Sequence, residues 1–118
     1  MIDQATKLLL EDMLANARIA QQLTQGHTLD SFSGNVTDLY AATHATEIIG
    51  EAASQIDPAM RGAMPSIPWK HAIRMRNRLI HGYRTVLARV VYETIRDDFP
   101  PLIAELERIL NTQGQGQP

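Results

Sequence analysis

The feature that most constrains the fold is apolar spacing, which follows a helical period in every long segment of the chain. From about residue 3 to residue 24, Leu9, Met13, Ala20 and Leu23 recur at that spacing without an interrupting Gly or Pro. Gln25-Gly26 supplies a stop signal. No alternating strand pattern or internal repeat appears. The sequence therefore predicts an all-α protein, an antiparallel helical bundle.

A second long helix is predicted from a cap at Asn35 or Thr37 to about Ile56. The connector before it, residues 28–35, has room for a short helical turn. Gly50 and the many alanines of this helix indicate close approach of a neighbouring helix. Its apolar stripe, close to a heptad seam, is Leu39, Ala42, Ile49, Ala53 and Ile56.

Prolines divide the second half of the chain. Residues 57–68 hold three prolines and a glycine, which predict a loop. Ser66-Ile67-Pro68-Trp69 then starts another helix, with Pro68 suited to its first turn, and this helix should stop at Gly82. A last helical region is expected over residues 86–110, with a kink or break near Asp98 because Pro100-Pro101 follows. We predict one domain over residues 1–111 and a disordered tail over 112–118.

Composition excludes several classes of function. The 118 residues include no cysteine, which removes disulfides, thiolate nucleophiles and Cys-based zinc sites. No apolar run suits a membrane span, and the start lacks a secretory-signal layout, so a cytoplasmic protein is expected. His27, His44 and His71 lack metal-ligand spacing, and Glu-x-x-His pairs, phosphate loops and Ser-His-Asp arrangements are missing. We predict no metal and no cofactor.

Charge is unevenly distributed along the chain. The formal net charge is −2, yet residues 58–92 contain seven of the eleven basic side chains and no acid. This basic island indicates an anionic partner, although basic residues can also pair with acidic helices of the same fold.

The most informative segment is Met75-Arg76-Asn77-Arg78-Leu79-Ile80-His81-Gly82-Tyr83. Asn77 and His81 are four residues apart and share a helical face, while Arg76 and His81 flank a common edge. His81 also falls in the last turn, where helix carbonyls favour the imidazolium. Such groups suit cleavage of RNA through its 2′-hydroxyl: His81 moves protons, Arg76 binds the phosphate, Tyr83 donates a hydrogen bond and Asn77 orients His81. A two-fold dimer would supply a second His81 and a second Arg76.

Simpler interpretations stand beside these. His81 could be an ordinary histidine at a helix end. For Arg74 and Arg78, a solvated or RNA-steering role is favoured over catalysis, and Arg84 is a further candidate for steering RNA. Glu47 and Glu51 could hold Arg76 or Arg78 across the bundle or form an acidic surface ridge. Trp69 is favoured as a packing anchor over a base-stacking platform.

The segment resembles the RxxxxHxY signature of HEPN-domain ribonucleases, in particular the HepT toxin branch. Other parts of that branch are resembled by residues 47–53 (EIIGEAA), by Ile67-Pro68-Trp69-Lys70, and by residues 91–100. In that branch an aromatic residue usually follows the motif tyrosine, an acid opens the last helix, and that helix contains a Trp. Here these positions are Arg84, Leu87 and Tyr92.

The resemblance implies an antiparallel HEPN-like bundle of four to five helices that acts as a homodimer and, as a toxin, cleaves RNA without a metal. It also implies a nucleotidyltransferase antitoxin of the MNT type, which silences the toxin by AMPylation of Tyr83. The alternative is a non-catalytic HEPN module that binds RNA or nucleotide and is the partner and substrate of a nucleotidyltransferase. A purely structural helical dimer is a third possibility.

Overall fold

The structure is a computed structural model that describes residues 2–80 and 84–115. The described part of the chain forms seven helices and no strand. In chain order they are α1 (Gln4–Thr24), α2 (Leu29–Gly34), α3 (Val36–Gln55), α4 (Pro58–Ala63), α5 (Trp69–Ile80), α6 (Arg84–Asp97) and α7 (Phe99–Gln115). The prediction of an all-α helical bundle is confirmed. Five of the helices are long, and α2 and α4 are single short helices of six residues each.

Each of the first four helices begins at a polar side chain that satisfies a free backbone N–H. Asp3 accepts a hydrogen bond from the Thr6 N–H at 2.7 Å, and Asn35 accepts one from the Asp38 N–H at 3.0 Å. Thr28 forms a reciprocal cap with Ser31 at the start of α2. The cap predicted at Asn35 is thus present.

The core is organised around α3, which packs against α1 and α5, while α1 also packs against α7 and α6. All five residues of the predicted α3 stripe are buried. In α1 two of the four predicted stripe residues, Met13 and Ala20, are fully buried, whereas Leu9 and Leu23 are half-buried. Leu10 and Ala17, which were not predicted, are also fully buried.

The predicted loop over residues 57–68 is partly wrong, because it contains helix α4. Asp57 caps this helix through the Ala59 N–H at 2.9 Å, and Pro58 occupies its first position, where a missing N–H costs nothing. Trp69 fixes α4 in place: its indole N–H lies 3.0 Å from the carbonyl oxygens of both Arg61 and Met64. Trp69 is 8% exposed, as expected of a packing anchor.

The second half follows the predicted boundaries closely. Helix α6 ends at Asp97 and α7 begins at Phe99, so the break near Asp98 is confirmed. Helix α7 continues to Gln115, four residues past the predicted domain end at 111. The predicted stop at Gly82 and residues 116–118 lie outside the described residues.

Candidate functional site between helices α3 and α5

Helices α3 and α5 approach so closely at Gly50 that no side chain fits there. A Cβ atom at Gly50 would lie 2.5 Å from the Cβ atom of Arg76 and 2.7 Å from the carbonyl oxygen of Ala72. Real Cβ atoms do not come this near to other heavy atoms. The close approach predicted from Gly50 is therefore confirmed, and the residue that it accommodates is Arg76.

The Arg76 guanidinium is held by three neighbouring side chains. Its Nη1 donates to Glu51 Oε1 at 2.9 Å and to Ser54 Oγ at 3.0 Å, both on α3. Its Nε and Nη2 donate to Asn77 Oδ1 at 3.3 and 3.1 Å. The Arg76 side chain remains 24% exposed, so one edge of the cation faces solvent.

Four of the five N–H groups of this guanidinium are used in those bonds. The remaining hydrogen is on Nη2. A bound anion would therefore meet Arg76 at Nη2, while Nη1 fixes the plane of the group against α3.

Hydrogen bonds favour the ionised form of Glu51 and lower its pKa. The amide of Gln55 donates to Glu51 Oε2 at 3.0 Å, and this bond, followed by that from Arg76, holds the pKa of the Glu51 carboxyl below its usual range. The sequence left two roles open for Glu51, a contact with an arginine across the bundle or a surface ridge. In the structure Glu51 contacts Arg76. Glu47 is half-buried, and within residues 2–80 and 84–115 it has no hydrogen bond or ion pair.

Ser54 is a contact that the sequence did not single out. It lies one turn after Gly50 and Glu51 on α3. Its hydroxyl donates a hydrogen bond to the Glu51 carbonyl at 2.7 Å, which leaves an oxygen lone pair to accept the bond from Arg76. The sole sequence signal was its i+4 spacing from Gly50, which is too common in helices to be informative.

Several predicted site residues are not placed. His81 and Tyr83 lie outside the described residues, as does the side chain of Arg84. Asn77 contacts Arg76 in the structure, and its predicted contact with His81 stays a prediction.

The basic island is divided between bonded and unbonded cations. Arg76 is paired with α3, and Arg61 donates to the Ile56 carbonyl at 3.1 Å. In contrast, the following exposed cations have no hydrogen bond or ion pair among the described residues: Lys70, Arg74, Arg78 and Arg89. Pairing within the fold thus accounts for only part of the island.

His27 is held in a group of structural hydrogen bonds. His27 lies between Ser31 Oγ and Asp38 Oδ2, each 2.8 Å from a ring nitrogen, an arrangement that the sequence analysis did not anticipate. The Ser31 hydroxyl is committed to capping α2, since it also accepts the Thr28 N–H at 2.9 Å. We therefore assign this group to the α1–α2–α3 connection and not to catalysis.

The described residues contain neither a metal-binding cluster nor a membrane-spanning helix. No group of three or more His, Asp or Glu side chains in those ranges is arranged to hold a metal ion. None of the helices there has the length and hydrophobicity required to cross a membrane.

The family model described as "Ribonuclease HepT-like" matches residues 13–109, which include α3, α5 and the whole Arg76–Tyr83 segment. The chain belongs to the HepT-like ribonuclease family. No solved structure matches it significantly.

Curated relatives agree with this assignment. A Thermococcus cleftensis protein named "Probable ribonuclease HepT" is 33% identical over 85% of this chain and 91% of its own length. A candidate RNase of Methanocaldococcus jannaschii is 33% identical over 86% of this chain and 93% of its own. Another, from Caldanaerobacter subterraneus, is 30% identical over 88% of this chain and 93% of its own length.

Proposed function

We propose that this protein is a metal-independent endoribonuclease in which Arg76 and His81 are the catalytic residues. The observation that carries the proposal is the guanidinium of Arg76, anchored by Glu51 and Ser54 and exposed at one edge, in a member of the HepT-like ribonuclease family.

In the reaction, the 2′-oxygen of the RNA attacks the adjacent phosphorus atom and the 5′-oxygen leaves. The products are a 2′,3′-cyclic phosphate and a 5′-hydroxyl. His81 takes the proton from the 2′-hydroxyl or gives one to the leaving oxygen. Arg76 binds the phosphate as negative charge accumulates on its oxygens. Glu51 and Ser54 act as positioning residues, because they fix the plane of the Arg76 side chain before substrate arrives.

A homodimer completes the proposed mechanism. One chain supplies a single His81, whereas cleavage of this kind needs one group to remove a proton and another to donate one. A two-fold axis near the end of α5 would bring a second His81 and a second Arg76 to the same phosphate.

The proposed biological role is that of a cytoplasmic toxin with an MNT-type nucleotidyltransferase as its antitoxin. AMPylation of Tyr83, two residues after His81, would add a phosphate and a bulky nucleoside to the catalytic segment. The added negative charge would repel the RNA phosphate. Intact-mass analysis after co-expression with a nucleotidyltransferase encoded beside the gene tests this, and the absence of added AMP would refute it.

Cleavage of RNA in excess chelator tests the enzymatic proposal. We expect wild-type protein to produce 2′,3′-cyclic ends, and His81→Ala and Arg76→Lys to lose at least about 100-fold in kcat, because Lys lacks the planar fork. Arg96→Lys, an exposed change on α6 away from α3, is the matched control and should be neutral. Activity that disappears with chelator and returns with a divalent metal would contradict metal independence.

The second candidate is a non-catalytic HEPN module that binds RNA or nucleotide. One observation favours it: four intramolecular hydrogen bonds on Arg76 are also what a structural arginine would make. Tight RNA binding without products, unchanged in His81→Ala, would select this candidate.

A further inference from the structure

An open groove separates helices α5 and α6, the two helices that flank the segment 81–83. Its walls and floor are formed by Met75, Arg78, Arg89, Val90, Glu93 and Thr94. Its volume of about 490 Å³ falls within the roughly 300–1,000 Å³ of small-molecule pockets. The groove can thus accept a group the size of a nucleotide.

The rim of this groove carries one arginine from each helix. Arg78 on α5 and Arg89 on α6 are both exposed, and neither has a hydrogen bond or ion pair among the described residues. Two other surface arginines do have partners: Arg18 contacts Glu107 at 2.7 Å, and Arg96 contacts Asp97 at 2.8 Å. The two rim cations are therefore available to an external anion.

The other residues of the groove are largely apolar or already partnered. Met75 is 7% exposed and forms a floor with half-buried Val90. His71, at one end, is bonded to Asp98 at 2.8 Å. Glu93 is one helical turn after Arg89 without pairing to it, and it contributes a hydrogen-bond acceptor at the wall.

We propose that this groove is a subsite for a nucleotide of single-stranded RNA that flanks the scissile phosphate. Guanidinium forks suit phosphate oxygens, the apolar floor suits the face of a base, and the Glu93 carboxylate can accept a hydrogen bond from an exocyclic amino group. Arg78 is three residues before His81 in the sequence, so a strand in the groove is close to the catalytic segment. This inference rests on the proposed ribonuclease function and adds Arg89 to the residues that bind substrate.

RNA binding measured without cleavage tests the subsite separately from catalysis. Fluorescence anisotropy with a 2′-O-methylated oligonucleotide, which cannot be cut, gives Kd over a series of salt concentrations. We expect Arg78→Gln and Arg89→Gln each to raise Kd about three- to tenfold at low salt. Each should also reduce the slope of log Kd against log salt by about 0.7, the value for one lost phosphate contact on a single strand. Arg96→Gln, which removes an equal charge from α6, should change neither quantity.

Kinetics on cleavable RNA provide the second measurement. Arg78→Gln and Arg89→Gln should raise KM with kcat within about twofold of wild type, the pattern for lost uniform binding. Wild-type Kd and salt slope in both variants would overturn the subsite, even if the enzyme is active. Conversely, a wild-type protein that binds the oligonucleotide through these arginines but cuts no RNA would refute the ribonuclease proposal and leave the groove as an RNA-binding site only.

Discussion

Gly50→Ala is the substitution whose effect can best be calculated from this structure. The new Cβ atom would lie 2.5 Å from the Arg76 Cβ atom and 2.7 Å from the Ala72 carbonyl oxygen. Carbon atoms in contact are normally about 3.5–4.0 Å apart, so α3 and α5 must separate by about 1 Å. Both obstacles belong to the helix body of α5 and cannot rotate away as the end of a flexible side chain would.

Two opposing contributions set the change in stability. Overpacking a close contact costs typically about 1–3 kcal/mol. Replacing Gly by Ala inside a helix recovers roughly 1 kcal/mol through propensity. The expected net loss in the free energy of unfolding is therefore about 0–2 kcal/mol, measured by urea denaturation at fixed protein concentration.

The same displacement should reduce catalysis more than stability. A shift of about 1 Å in a catalytic group can cost on the order of 100-fold in rate, and Arg76 moves with the α5 backbone. Gly62→Ala is the matched control, since nothing lies within 4 Å of a Cβ atom there. It should be neutral or slightly stabilising. If Gly50→Ala were as stable and as active as Gly62→Ala, the argument that close packing at Gly50 positions Arg76 would be refuted.

Two further predictions follow from hydrogen bonds of the described residues. Glu51→Gln should lower kcat at pH 7 with little change in the melting temperature, because the side chain is 55% exposed and the substitution leaves Arg76 without its counter-charge. The pKa of Glu51 is depressed in the fold, so its pairing with Arg76 is complete above about pH 4.3, the pKa of a free Glu, and is lost as pH falls below that value. A change in the shape of the pH–rate profile near pH 6 in Glu51→Gln would contradict this. Tyr92→Phe removes the 2.9 Å hydrogen bond from the Tyr92 hydroxyl to the His27 carbonyl and should cost about 1 kcal/mol in urea denaturation. Exposed Tyr40→Phe is its control, and equal stability of the two variants would show that the bond contributes nothing.

The long helices could be predicted from the sequence because burial on one face imposes a period that local residues reveal. The α3 stripe is the best example: each predicted position is buried, and Gly50 on the same helix indicated the close approach of α5. Helix α4 was missed because three nearby prolines suggested a loop. The Asp57-Pro58 pair, a cap followed by a favoured first residue, was the signal available.

The residues of the candidate site could be predicted from the sequence more readily than the contacts between them. Arg76 could be selected from its spacing to His81 and Tyr83, but its partner depended on which helix packs against α5 and at which height. The sequence left Glu51 open between a contact with Arg76 and a surface ridge, and it gave no reason to choose Ser54. The groove beside Arg89 depends on how far α5 and α6 separate, which is a result of tertiary packing and leaves no local pattern.

The placement of Arg76 implies that stability and catalysis are coupled on one side of α5 and independent on the other. Toward α3, the Arg76 side chain, which we propose binds the scissile phosphate, is positioned by Gly50, Glu51 and Ser54, so changes that separate these helices also displace its guanidinium. Toward α6, Arg78 is exposed and supports no described contact, so its loss should weaken RNA binding without destabilising the fold. We therefore expect substrate preference in this family member to be adjustable through the α5–α6 groove, whereas substitutions that push α3 and α5 apart, such as Gly50→Ala, should reduce folding stability and turnover together.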